Sequence, residues 1–194
     1  MNGAVFDYLM TTFKDRKQLG QDPKEWRYFL EFIWSFFHSR GIEHPLVVEI
    51  GIWNGLQRRF YEKLLEAEYI GIDNLKPFAP ISVNEPCATP DIIGDSHEGG
   101  TVEKLKARLA GRKIDLLFID GDHSYESVRY DFELYEPMTK YFIAFHDCVG
   151  TPGPTRFWTE LVNGNKQNAF VLFKKDSSAD WRLQMGIGVM VKTD

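Results

Sequence analysis

Cysteine is almost missing from this chain. Cys87 and Cys148 are the only two in 194 residues. Two cysteines so far apart give neither a disulfide framework nor the paired spacing of a zinc knuckle. No run of about 18 apolar residues occurs, which excludes a membrane-spanning helix and predicts no membrane partner. The start, Met1-Asn2-Gly3-Ala4-Val5-Phe6-Asp7, lacks the charged-then-apolar pattern of a signal peptide, so the expected compartment is the cytoplasm. A basic surplus is also missing. Lys and Arg number 23 against 28 Asp and Glu, a net charge of −5, which argues against a dedicated nucleic-acid binder. Internal repeats, low-complexity tracts and a dividing linker are absent too. What the chain does have is 43% hydrophobic residues, enough for a packed core. Its length suits one domain, residues 1–194.

The hydrophobic pattern opens with a helical segment, residues 1–40. Phe6 to Lys17 reads as a short helix. Asp22-Pro23 reads as an N-cap followed by proline at the first helical position. Trp26, Phe29, Leu30, Ile33, Phe36 and Phe37 then form one helical stripe, with Gly41 as the stop. Phe32 and Trp34 fall off the stripe, so this helix is expected to be covered on a second side, by a lid function or by a homo-oligomer contact.

Residues 46–192 alternate strand and helix. Leu46–Ile50, Tyr69–Asp73, Asp91–Asp95, Ile114–Asp120, Tyr141–Phe145, Phe170–Phe173 and Ile187–Val191 read as strands. Helices are expected around Leu56–Leu64, Val102–Leu109, Val128–Tyr135 (with Ser124 as N-cap) and Thr155–Val162. A proline-rich loop spans Pro77–Pro90. Continuously apolar strands separated by helices mean an α/β fold with a mostly parallel seven-stranded sheet covered on both faces. This is a three-layer αβα sandwich. The last two strands lack a helical crossover between them and are expected to pair antiparallel.

Ligands of open α/β sheets bind at the carboxyl ends of the strands. Strand one ends in Glu49-Ile50-Gly51-Ile52-Trp53-Asn54-Gly55, where glycines allow close backbone approach. Strand two ends in Asp73, a carboxylate placed to accept from both ribose hydroxyls. Strand three ends in Gly94-Asp95-Ser96-His97, strand four in Asp120-Gly121-Asp122-His123 and strand five in His146-Asp147-Cys148. Each feature alone has a plain structural reading: a turn, a helix cap, a hydrogen-bonded histidine. Together, in this order, they describe one site.

The set Glu49-x-Gly51-x-x-x-Gly55, Tyr69-Ile70-Gly71-Ile72-Asp73 and Asp95-Ser96 resembles the cofactor half of class I S-adenosylmethionine-dependent methyltransferases. The stretch Asp115–Glu126, with Phe145-His146-Asp147 and Phe157-Trp158, resembles the small-molecule O-methyltransferase branch that includes macrocin O-methyltransferase and cephalosporin-hydroxylase-like proteins. The resemblance spans about Leu46 to Val191 and implies a Rossmann-like fold. It implies that Glu49, Gly51 and Gly55 line the methionine part of the cofactor, with Asp120 beside them. Asp73 would hold the ribose, and Asp95 with Ser96 would flank the adenine. In metal-dependent members, acids after strands four and five bind Mg²⁺, and Asp120 and Asp147 match those places. Here the neighbour of Asp147 is His146 rather than an acid or asparagine. Histidine is a third candidate ligand, though a less natural one for Mg²⁺. Without metal, His123 or His146 would act as general base.

The expected activity is O-methylation of a small-molecule acceptor, a sugar or natural-product hydroxyl. An NAD-dependent oxidoreductase is the enzyme alternative, but Trp53 stands where the dinucleotide fingerprint wants its second glycine. A non-catalytic binding or assembly module on the same fold is the third reading.

Overall fold

A computed structural model describes residues 1–12, 20–75, 89–164, 168–172 and 185–192. Helix α1 (Gly3–Thr11) starts at Asn2, whose side chain accepts from the Ala4 and Val5 amides. It begins earlier than the apolar pattern suggests because the cap, not the first aromatic residue, sets the start. The expected continuation over 13–17 lies outside the described residues. Helix α2 (Pro23–Ser39) is capped by Asp22, with Pro23 in the first turn, and its chain reverses at Gly41 with φ +62°.

Seven strands follow: β1 (Leu46–Ile50), β2 (Glu68–Asp73), β3 (Ile92–Ile93), β4 (Ile114–Ile119), β5 (Thr139–Phe145), β6 (Ala169–Leu172) and β7 (Ile187–Val191). Between them run α3 (Arg58–Leu64), α4 (Gly99–Leu109), α5 (Tyr125–Tyr135) and α6 (Pro152–Gly164). The sheet order is β3-β2-β1-β4-β5-β7-β6. The first five strands are parallel, and β7 runs antiparallel to both β5 and β6. This is the expected Rossmann-like αβα sandwich.

Two elements differ from the sequence pattern. The third strand shrinks to two residues. Asp91 turns its carboxylate to the Gly71 amide (2.9 Å) and Arg58 (3.2 Å). Gly94 sits against Thr101, where a Cβ would lie 2.3 Å from Oγ1. Helix α6 is longer than Thr155–Val162. Most of the proline-rich loop, residues 76–88, lies outside the described residues, as does Phe173.

Side-chain alternation divides the core. Val47, Tyr69, Leu116, Phe118, Phe142 and Ala144 face α1, α2 and α3. Val48, Ile70, Leu117, Ile143 and Phe145 face α4, α5 and α6. Trp26, Phe29, Leu30 and Ile33 of α2 are fully buried. Each such side chain contributes about 1.5–3 kcal/mol on burial, so α2 is part of the core and not an appendage. Phe32 finds its cover inside the chain, edge-on to Phe142 and to Phe170 of β6 (4.8 Å between ring centres). Trp34 stacks on His38 and borders a cleft of about 410 Å³ with Ile42, His44 and Leu65. Among the described residues no helix is long and apolar enough to cross a membrane.

Candidate active site

The same alternation that sorts the core sorts the ionisable residues. Continuing the α1–α3 face toward the carboxyl edge brings Glu49 on β1 and Gly51 just after it, Asp73 on β2, Asp120 after β4 and His146 after β5 to one side of the sheet. β1, β4 and β5 are neighbours, so three of these groups meet.

The tightest group is Asp120, His123, His146 and Asp147. His146 Nδ1 lies 3.1 Å from Asp120 Oδ1 and 3.5 Å from Asp147 Oδ2. His123 Nε2 lies 3.3 Å from Asp147 Oδ2 and 3.7 Å from Asp120 Oδ1. Each imidazole thus bridges both carboxylates. Burial works against a charged His146, yet Asp120 and Asp147 outweigh it and hold the imidazole up to about 10. Burial likewise pushes the Asp120 carboxyl up, but His146 and His123 outweigh it and keep it below its ordinary value. The contact with Asp120 raises His123. Of the two histidines, His146 is buried and His123 keeps 29% of its side chain exposed. A ligand can therefore touch His123. Asp147 holds its place with φ +55°, a left-handed conformation costly for a side chain other than glycine.

One ligand atom each from Asp120, His146 and Asp147 fall within 4.8 Å of one another. Two carboxylates and a nitrogen at that spacing are a donor set for a divalent cation, which His146 joins only by giving up the proton it shares with Asp120 and Asp147. The oxygens suit Mg²⁺ and the imidazole shifts the preference toward Mn²⁺ or another transition ion.

Glu49 is fully buried. Tyr69 donates its hydroxyl to Glu49 Oε2, while Oε1 has no partner among the described residues. Burial raises its carboxyl to about 8. Gly51 takes φ +78°, and a Cβ there would stand 2.3 Å from the Asp120 carbonyl oxygen. Its lack of a side chain serves the crossing of the β1 and β4 ends, a role that spacing alone had assigned to ligand approach. Gly55, at φ +68°, closes the loop by donating to the Ile52 carbonyl. Asp73 accepts from the Ile52 amide (3.0 Å) and the Leu75 amide (2.6 Å). Each carboxylate oxygen retains capacity for a further donor, so a ribose diol still fits.

Asp95 and Ser96 form a separate group beyond β3. Asp95 Oδ1 accepts from the His97 amide, and the Ser96 carbonyl accepts from the Tyr135 hydroxyl. Behind them Asp131 of α5 is buried, 3.2 Å from His97 Nε2, and burial raises its carboxyl to about 6. Asp131 Oδ2 also faces Gly121 of the β4 loop.

Three participants escaped the sequence reading: Tyr69, Asp131 and Gln21. Gln21 Nε2 donates to Asp120 Oδ2 at 3.3 Å across 99 positions of chain. No local signal marks such a contact. Asp131 sits on the apolar side of α5 and was readable only as a break in that helix's pattern.

Residues 48–148 match the family model described as a methyltransferase domain. The chain belongs to that family and so stands among the class I S-adenosylmethionine-dependent methyltransferases. Among curated proteins none matches the chain in sequence. Solved structures share its fold at low identity. A caffeoyl-CoA O-methyltransferase candidate from Staphylococcus aureus is 14% identical, with a TM-score of 0.57 and 98% of each chain covered. A ribosomal RNA methyltransferase candidate from Plasmodium falciparum is 16% identical, with a TM-score of 0.50 over 84% of this chain and 94% of that one. MycE, a methyltransferase of the mycinamycin biosynthetic pathway solved with Mg, SAH and mycinamycin VI, is 16% identical, with a TM-score of 0.49 over 81% of this chain and 47% of that one. The chain spans about half the length of MycE.

Proposed function

We propose that the chain is an S-adenosylmethionine-dependent O-methyltransferase of a small-molecule hydroxyl, of sugar or natural-product type, assisted by one divalent cation. The observation that carries this reading is the meeting of Asp120, His123, His146 and Asp147 at the carboxyl edge, beside the Gly51–Gly55 loop. When bound, S-adenosylmethionine supplies the methyl group and the cation a Lewis acid for the acceptor oxygen. Asp73 holds the ribose. Asp95 and Ser96 flank the adenine. Gly51, Gly55 and Glu49 border the methionine end. Asp120 and Asp147, with His146, hold the cation. His123, half-buried at the edge of the group, would be the base that takes the acceptor hydroxyl's proton. Most of the rate gain comes from holding the two partners in attack geometry.

A single domain over 1–194 is supported by the buried α2 helix, which shares one core with β1, β4 and β5. A homo-oligomer through the N-terminal helices keeps the support of exposed Tyr8 and Tyr28. Phe32 no longer argues for it. The NAD reading has no support beside a methyltransferase-domain match.

Calorimetry with S-adenosylhomocysteine, then turnover of a hydroxylated acceptor panel with and without EDTA, tests the proposal. Binding with turnover is expected. Binding without turnover on any acceptor would favour the non-catalytic module. No binding would refute the cofactor assignment.

A further inference from the structure

The chain just before α2 runs across the mouth of the site. Gly20, at φ +69°, carries it over Trp53, where a Cβ would lie 3.1 Å from the indole ring. Asp22 is fixed by capping α2. Glu25 accepts the Gly186 amide at 3.1 Å and ties the helix start to the β7 side. Gln21 is pinned between these anchors with only 4% of its surface exposed.

The amide of Gln21 is half used. Nε2 donates to Asp120 Oδ2, which fixes which end is nitrogen, since a carboxylate accepts and an amide oxygen cannot donate. Oε1 is buried and has no donor among the described residues. Buried acceptors without a donor are rare because they forfeit their hydration for nothing. An unfilled acceptor held against the Asp120 carboxylate suits a compact N–H donor with positive charge. His146 and His123 are already engaged with Asp120 and Asp147.

We infer that Gln21 binds the α-ammonium group of the cofactor's methionine end through Oε1, with Asp120 holding the amide in place. The inference rests on the cofactor reading above. The adenine amine is the other N–H donor of such a cofactor, but Asp95 and Ser96 sit at the far side of the β4 loop. Gln21 thereby makes the N-terminal segment part of the cofactor site, which no motif of the αβα core encodes.

The test is a four-way calorimetric comparison on the full chain. S-adenosylhomocysteine and its des-amino analogue are each titrated into the unaltered chain and into Gln21→Met, which keeps the side-chain length and removes both polar atoms. The variant is expected to bind S-adenosylhomocysteine about ten- to a hundredfold more weakly, the range for a hydrogen bond to a charged group. It should bind the des-amino analogue within about threefold of the unaltered chain, inside the usual scatter of such measurements. Equal weakening of both ligands would mean a merely structural role and overturn the inference, as would no change in either. Gln21→Ala serves in the same comparison if the methionine variant fails to fold. Failure of the unaltered chain to bind S-adenosylhomocysteine is a different result. It strikes the cofactor reading itself, and Gln21 with it.

Discussion

Replacing Glu49 with Gln should make the protein more stable, by an amount that grows with pH. Glu49 is fully buried, and burial raises its carboxyl from 4.5 to about 8. Between those two values the native chain holds a proton on Glu49 that the unfolded chain has released. The native state then binds more protons than the unfolded state, so stability falls as pH rises through this window. The slope is about 1.4 kcal/mol per pH unit for one proton. From pH 5.5 to 7.5 the loss reaches about 2.5 kcal/mol, allowing for partial titration at both ends. Glutamine has no proton to lose and can still accept from the Tyr69 hydroxyl. His146, also held up in the native state, makes stability fall as pH rises past 6.5, but it does so in both proteins and leaves their difference to residue 49. Urea unfolding of the two proteins at half-unit steps of pH gives the comparison. The expected result is a gap that widens in favour of Glu49→Gln as pH increases. Parallel stability curves would show that Glu49 is ionised in the native state, and the assignment of a protonated, buried carboxyl would fall.

Further outcomes follow from the same geometry. Asp73→Ala should weaken S-adenosylhomocysteine binding about ten- to a hundredfold and free the Ile52 amide; unchanged calorimetric affinity would remove Asp73 from the site. His123→Ala should lower turnover by roughly 10²–10⁴-fold with cofactor affinity kept. Because Asp120 raises the His123 imidazole, activity of the unaltered enzyme should climb with pH through a value above 6.5; a flat profile there would exclude His123 as the base. Gly51→Ala should prevent folding or cost roughly 3 kcal/mol or more, since its Cβ would strike the Asp120 carbonyl; a near-normal melting temperature would contradict that contact. Exhaustive chelation should abolish turnover and leave cofactor binding nearly intact, with Mn²⁺ restoring activity at least as well as Mg²⁺; full activity in EDTA would exclude the cation.

The sheet was legible because its strands are short apolar runs, the first four of them ending in glycine or an acid. Leu46–Ile50 and Ile187–Val191 fall where the pattern puts them. Position in the sheet also made Asp120, His146 and Asp147 readable as a group, since neighbouring parallel strands end side by side. Asp91 was misplaced into a strand because its carboxylate serves Arg58 and the Gly71 amide, partners the local sequence does not announce. Phe32 was read as a surface seeking a partner. Its cover, Phe170, arrives from the edge strand β6 far along the chain. Gln21 stayed hidden for the same reason: composition and periodicity describe near neighbours, and its partner lies 99 positions away.

Trp53 and Asp147 both adopt left-handed backbone, at φ +48° and +55°, the first in the loop after β1 and the second within the ionisable cluster. Such conformations cost about 1 kcal/mol or more each for residues with a Cβ. Glycine at either position would relieve that cost, so a programme selecting only for heat resistance would drift toward Trp53→Gly and Asp147→Gly. The first would strip the indole that Gly20 crosses, and the second would remove a carboxylate of the cluster itself. The fold therefore carries a conflict between robustness and activity at two identifiable positions. Thermostable variants of this chain should be sought among substitutions distant from the carboxyl edge, for example on the exposed faces of α4 and α5.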